Sequence, residues 1–425
     1  MIKNHILYNA SNDWQMKVLK AEDCYLWDEK KRKIIDFSAG WNVVNLGWNH
    51  PEINQAVIEQ VKKNTYNPGW TSDEAQEKYA KALLGVLPKE LNVIVKATGG
   101  TEANEQAMKI ARTTTGRKKI IGFKDTYHGD SFATMSLGYR PQYVKQIAPL
   151  VPDFIQIDYP SIAYQQKDEK KILESFLTKL EIILKKRGVA ALVTEAGIIT
   201  GWGSTLVAPQ GYLKEIRRLI KHYGTLLILD EVGTGFSRCG KLFGMELEKI
   251  VPDIVTFAKG MSNGAAAIGA AVTSSDLVQS TIKKTNIYST FGWTSIACAA
   301  SLKTLEIHLR DRVWEKVDEK GNYIKSTLLV SLSQYPYFGE VRGKGLEIGL
   351  EFISNQKTKK KNVSFTKKVI NKALINGLLL AGSPDDGVIQ IMPPLIIEKK
   401  VLVRGLEILV DVINSISPIQ AAYTR

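Results

Sequence analysis

The chain has 425 residues, 44% hydrophobic and 24% charged, which is ordinary for a globular protein in water and enough for two packed cores. Its +14 net charge comes from 57 Lys and Arg against 43 Asp and Glu, spread through stretches such as 30–33 and 359–361; it is not gathered on one element with interleaved aromatics, which argues against nucleic-acid binding. Three scattered cysteines (Cys24, Cys239, Cys298) and five histidines without ligand spacing argue against a disulfide framework and a metal centre, and for reduced thiols in the cytoplasm.

Residues 1–20 have no apolar core of the kind a signal peptide needs, and runs such as 265–272 are too short to cross a bilayer. Residues 17–40 read as strands flanking a charged turn. Pro51 opens a helix with Ile53, Val57 and Val61 on one face, and Thr71 with Glu74 reads as a capping box for a helix running to about Leu87. From about residue 92, short apolar runs (NVIVKA, KKIIGFKD, FIQIDY, VAALVTEA, TLLILDEV, DIVTFAK, AIGAAVTS) alternate with helical or loop stretches. That alternation predicts a mostly parallel sheet with helices on both faces, with ligands at the carboxyl ends of its strands. Asp125, Tyr127, His128, Glu195, Asp230 and Lys259 all fall near such ends. Beyond about residue 305 a long amphipathic helix, strands, a helix near 365–376 and a final helix read as a second, α+β domain. The expected division is an N-terminal segment 1–50, a large domain 51–305 and a small domain 306–425.

GGTEANEQAMKIAR (99–112) joins a strand to a helix, and its Gly99-Gly100-Thr101 entry offers free amides and a positive dipole end to a phosphate. The ordinary alternative is a helix capped by Thr101. Neither a P-loop nor a dinucleotide fingerprint occurs, so a nucleotide is not the first expectation. Asp230 closes a buried run and could hold the protonated nitrogen of a heteroaromatic ring, or be an ion-pair partner. Lys259 follows the next strand, where a lysine is costly to bury unless its amine is neutral or occupied. A phosphate cradle, an aromatic, an acid and a strand-end lysine together specify pyridoxal phosphate better than any one of them does.

With GGTEANEQAMKIAR, TYHGDS, TEAG, LDEVGTGFSRCGKLFG, PDIVTFAKGMSNGAAAIGA, STFGW and MPPL in this order, the chain resembles the class III aminotransferases of the ornithine, 4-aminobutyrate and ω-amine type. The resemblance runs from about Asp36 to the C-terminus. It implies a fold-type I α/β transferase, with a large, mostly parallel sheet domain and a smaller α+β domain. It also implies that Lys259 forms a Schiff base with pyridoxal 5'-phosphate, Asp230 binds the pyridinium nitrogen, and Val232 and Tyr127 cover the two ring faces. Gly100 and Thr101 are expected on the phosphate, completed by Thr290 of a neighbouring subunit in a homodimer. Glu195 is expected beside the ring, with catalytic weight alongside Lys259 and Asp230. His128 and Arg238 match motif positions; their default role is structural.

Three departures from the pattern matter. Where relatives that use glutamate carry Arg before the Pro-Pro-Leu element, this chain has Gln390, which cannot clamp a carboxylate bidentately. Either the carboxylate is read elsewhere or the main donor has none near that point. Gly233 stands where Gln is frequent, and Thr294-Ser295 replaces Asn-Pro. Trp41, in Ser38-Ala39-Gly40-Trp41-Asn42, matches a pocket-lining tryptophan or is a core aromatic. The implied reaction moves an amino group from an amine or (ω-)amino acid donor to a carbonyl acceptor with ping-pong kinetics. An aminomutase or racemase of the same family is the alternative.

Overall fold

The computed structural model describes residues 2–3, 5–7, 16–71, 73–165 and 168–416, so parts of both expected terminal segments (1, 4, 8–15 and 417–425) lie outside the described residues. Three strands, β1 (Val18–Glu22), β2 (Tyr25–Asp28) and β3 (Lys33–Asp36), form an antiparallel meander. Helix α1 (Pro51–Val61) follows with Pro at its first turn, then α2 (Glu74–Gly85). The N-cap of α2 is Asp73, accepting from the Gln76 amide, in place of the expected Thr71, whose hydroxyl donates to the Pro68 carbonyl. A carboxylate offsets the positive helix end better than a hydroxyl, which favours the later start.

The large sheet contains β4 (Val93–Ala97), β5 (Lys119–Phe123), β6 (Phe154–Ile157), β7 (Val189–Glu195), β8 (Leu226–Asp230), β9 (Ile254–Phe257) and β10 (Gly269–Thr273). Their order is β4-β10-β9-β8-β7-β5-β6, and only β10 runs antiparallel to its neighbours. Every residue of β7 is buried, as a strand covered on both faces requires. Helix α3 (Gly100–Thr115) turns Ala103, Ala107, Ile110 and Ala111 into the core beneath the sheet. Helix α4 (Glu169–Lys185) and α5 (Tyr212–His222) bury Leu180, Leu184, Leu213, Ile216 and Ile220 against another face.

Helix α6 (Ser295–Arg310) runs unbroken through the expected boundary at residue 305 and packs on α1 and α2, because its buried face (Ala300, Thr304, Ile307) continues to the last turn. Beyond it lie α7 (Val317–Leu332), β11 (Phe338–Lys344), β12 (Glu347–Asn355), α8 (Val363–Ile375), β13 (Leu378–Leu379), β14 (Ala381–Ser383), β15 (Val388–Ile391) and α9 (Lys399–Ile416). Strands β11-β12-β15-β14 form an antiparallel sheet, while β13 pairs with β3 and ties the N-terminal meander to this region. A core of Phe37, Ile324, Leu328, Ile348, Leu350, Ile389 and Leu409 unites the two.

Candidate active site

The parallel strands deliver their carboxyl ends to one cavity of about 400 Å3. Pairing register sets Asp230 beside Glu195 on one side and Thr256 on the other, so two carboxylates come to adjacent strand ends. Gly99, Gly100, Thr101, Tyr127, His128, Glu195, Asp230, Val232 and Lys259 all line the cavity. Eight of the expected cofactor residues therefore meet in space.

Asp230 is buried and fully held: Oδ2 accepts from His128 Nδ1 at 2.7 Å and Asn104 Nδ2 at 2.8 Å, and Oδ1 accepts from the Val232 amide at 2.9 Å. Burial alone would push its carboxyl up, but His128, the Val232 amide and Asn104 outweigh that and hold it below the usual carboxylate range. His128 responds in the opposite sense: burial lowers it, and the Asp230 hydrogen bond and charge raise it overall. Asn104 is itself aimed by Thr256, whose hydroxyl donates to Asn104 Oδ1 at 2.8 Å. Asn104 and Thr256 lie within the quoted motifs, which assign them no role; the passage of α3 under the sheet and the strand register bring them to Asp230.

Glu195 accepts from the Thr200 amide, the Thr200 hydroxyl at 2.5 Å and the Gly201 amide. Burial, then the charge of Asp230, push it up to about 7, against the pull of His128 and Thr200. Thr200 also accounts for Gly233: a Cβ there would stand 2.2 Å from Thr200 Oγ1, so the hydroxyl that steadies Glu195 occupies the space of a side chain.

Gly99 is the N-cap of α3 and makes no side-chain cap, so Thr101 lies inside the first turn rather than capping it. Free amides at the head of a 16-residue helix favour an anion. Gly129 passes close by with φ +133°, where a Cβ would lie 2.6 Å from Thr101 Oγ1. The loop carrying Tyr127 and His128 closes tightly because Gly138 lets the short helix Phe132–Gly138 sit on β5; a Cβ there would be 1.7 Å from the Phe123 carbonyl oxygen. Tyr127 packs edge-on against Trp202 at 5.5 Å.

Lys259 begins a short 3-10 turn after β9 with φ +43°, and it is half-buried rather than buried as the sequence suggested. Among the described residues its Nζ has no hydrogen-bond or ion-pair partner. Thr290 lines a neighbouring groove together with Gly99, Gly100 and Thr101, and does not line the cavity of Lys259.

Trp41 and Gln390, expected at the substrate, meet each other, Trp41 Nε1 donating to Gln390 Oε1 at 3.2 Å, but neither lines the cavity of Lys259. Trp41 sits in a turn where Ala39, Gly40, Trp41 and Asn42 all have positive φ (43°, 57°, 62° and 63°). Left-handed geometry costs roughly 1–2 kcal/mol for each residue with a Cβ, so the turn must be held from outside. Gln390 is wholly buried, donating to the Thr200 carbonyl at 3.2 Å and to Glu347 Oε1 at 2.9 Å. Glu347 is a buried acid with no sequence signal of its own. Arg238 is structural: it donates to the carbonyls of Leu346 and Pro393 and to Asn45 Oδ1.

The free amides, the restrained Asp230, the unpartnered lysine amine and the orphaned, buried His128 Nε2 fit a ring that carries a phosphate, a protonatable nitrogen and an aldehyde. No group of three or more His, Cys, Asp or Glu among the described residues could hold a metal, and no described helix is long and apolar enough to cross a membrane.

Comparison with known proteins agrees. The family model for class III aminotransferases matches residues 7–413. The chain is 32% identical to the acetylornithine aminotransferase of Bacillus cereus, covering 91% of this chain and 92% of that one. It is 29% identical to the leucine/methionine racemase of Thermococcus litoralis, over 92% and 88% of the two chains. The crystal structure of an (S)-enantioselective omega-transaminase from Thermomicrobium roseum superposes with a TM-score of 0.90 at 29% identity, covering 97% and 96%.

Proposed function

The chain belongs to the class III aminotransferases, pyridoxal-phosphate enzymes of fold type I, and from that premise we propose how its own residues divide the work of transamination. The observation that carries the reading is the convergence of the α3 amides, Asp230 and the free amine of Lys259 on one cavity.

Bound pyridoxal phosphate supplies an electron-withdrawing ring that acidifies the proton on the carbon bearing the transferred amine. Lys259 would hold the cofactor's aldehyde in the resting enzyme, and once the donor's amine had displaced it, the freed Nζ would take that proton and give it back. Asp230, kept ionised by His128, Asn104 and the Val232 amide, holds the ring nitrogen. Val232 and Tyr127 bound the ring's two faces, and Gly100 and Thr101 hold the phosphate. Glu195, braced by Thr200, stands beside the ring as a carboxyl close to neutrality.

A homodimer in which Thr290 of one protomer reaches the other's phosphate is supported by the groove that Thr290 shares with Gly99–Thr101 and by the exposed aromatics that line it, Phe291 (63%) and Tyr288 (50%). The three buried, unpaired cysteines support a cytoplasmic setting. The domain division is drawn after Arg310, where α6 ends.

The test is spectroscopic. Single amines are added to the purified enzyme without acceptor, and loss of the cofactor's yellow band, restored by a keto acid, establishes transamination. A band that returns by itself indicates the racemase or mutase reading, which the Thermococcus relative keeps in view. Borohydride reduction followed by peptide mapping should place the pyridoxyl group on Lys259; any other lysine refutes the assignment. Sedimentation analysis checks the dimer.

A further inference from the structure

Trp41, Gln390 and Glu347 stand behind the cavity's lining residues Val43 and Thr200, joined to them by the donation of Gln390 to the Thr200 carbonyl, and that end has an unusual foundation. Gln390 has two amide protons and both are spent inside the protein, on the Thr200 carbonyl and on Glu347 Oε1; its oxygen accepts from Trp41. A buried glutamine so committed has no donor left for a substrate. Behind it, Glu347 is fully buried and has three donors around it: Asn42 Nδ2 at 2.7 Å, Gln390 Nε2 at 2.9 Å and Thr205 Oγ1 at 3.4 Å. Donors without a competing acceptor suit an ionised carboxylate. Burial raises this acid above the usual carboxylate range, outweighing the pull of Asn42, Arg238, Gln390 and Lys259.

Lys259 is the only lysine or arginine among the described residues that line the cavity, so no other cation there stands ready for a substrate carboxylate. Arg238 is spent on carbonyls, and Arg140 is held by Ser383 and Asp386 beneath Trp202. Glu347 and Gln390 also hold the left-handed turn, through Asn42 and Trp41 respectively, so the indole is fixed with 43% of its surface open.

We propose that Glu347 is a specificity-determining, positioning residue: through Gln390 and the turn at Ala39–Asn42 it fixes Trp41 as an apolar wall and keeps the outer end of the substrate site closed to carboxylates, selecting amine donors with an uncharged tail. Like charges at close quarters supply the rejecting element, and the committed glutamine removes the attracting one. This rests on the reading of the cavity as the transamination site.

The test compares 4-methylpentylamine with 4-aminobutyrate, whose chains match atom for atom except that two methyl groups replace the carboxylate oxygens. The holoenzyme's half-reaction, followed by the cofactor band, should favour the alkylamine by more than about tenfold. Glu347→Gln keeps the shape and should move that preference toward 4-aminobutyrate by about tenfold, through its KM rather than its kcat, with the alkylamine little changed. Gln390→Arg alone should gain nothing, because Glu347 takes the guanidinium; combined with Glu347→Gln it should give the largest gain. Calorimetric titration of the holoenzymes with pentanoate should show the same ranking without turnover. A wild-type preference for 4-aminobutyrate overturns the proposal whether or not any variant folds. So does Gln390→Arg gaining that preference alone, or a Glu347→Gln protein with unchanged pentanoate affinity. If neither donor alters the cofactor band, the transamination reading fails, while pentanoate binding still decides the role of Glu347.

Discussion

Replacing Thr200 by valine keeps the side chain's shape and removes one hydrogen bond, the 2.5 Å contact from its hydroxyl to Glu195. The amide donors of Thr200 and Gly201 stay. A hydrogen bond to a buried charge contributes about 1.5–3 kcal/mol, and one pKa unit corresponds to about 1.36 kcal/mol. The carboxyl, already at about 7, should therefore rise by roughly one to two units. Because Glu195 titrates above its unfolded value, the folded state binds the extra proton, and the wild type loses stability as pH rises from the ordinary glutamate range through about 7. In Thr200→Val that loss should continue to about pH 8–9. Urea unfolding of the cofactor-stripped protein at intervals from about pH 5 to about pH 9 measures this. The variant should lie close to wild type at the acid end and fall below it by about 1.5–3 kcal/mol at the alkaline end. An offset of equal size at every pH would show that Thr200 supports packing and not the Glu195 charge.

Lys259→Ala should lower transamination by about 10²–10⁴-fold or more, and borohydride should then leave no pyridoxyl group on the chain; a stopped-flow half-reaction and mass spectrometry check both. Gly129→Ala pushes a Cβ to 2.6 Å from Thr101 Oγ1; overpacking of this kind costs about 1–3 kcal/mol, read as a cofactor dissociation constant raised roughly tenfold in fluorescence titration. His128→Phe leaves Asp230 buried without its main partner, a loss of about 3–5 kcal/mol. Asp230 lies below its unfolded value and His128 above its own, so the pair stabilises the fold between those two points. The variant's deficit in unfolding free energy should be largest there and shrink as pH falls through the depressed value of Asp230.

Sequence patterns exposed the large sheet and the core of the site because both are written locally. An apolar run followed by Asp230, Lys259 or Gly99-Gly100 places that residue at a strand end whatever the rest of the chain does. The supports of those residues are written across the chain. Asn104 meets Asp230 only because α3 passes under β8 and β9, and Glu347 meets Gln390 only because β12 and β15 pair in the observed register. Capping failed for a local reason. Thr71, Asp73 and Thr101 are all competent caps by type, and the choice fell to the residue whose backbone was already extended, Asp73 with ψ 123° and Gly99 with ψ −176°. The left-handed turn at Ala39–Asn42 has no signature, since only one of its four residues is a glycine.

The one reversed strand, β10, has a consequence for the lysine. Since β10 runs back beside β9, the loop between them leaves and re-enters the sheet at adjacent strands, and Asn263 staples it by accepting from the Leu46 amide and donating to the Gly47 carbonyl. The backbone of Lys259 is thus tethered on both sides, and only its side chain is left to swing. An amine confined in this way acts as a reagent at very high local concentration; well-placed intramolecular groups reach about 10⁵–10⁸ M. In the role proposed for Lys259, the reversed strand would work as a hinge pin for the lysine arm, converting a diffusive search into a rotation about a few bonds.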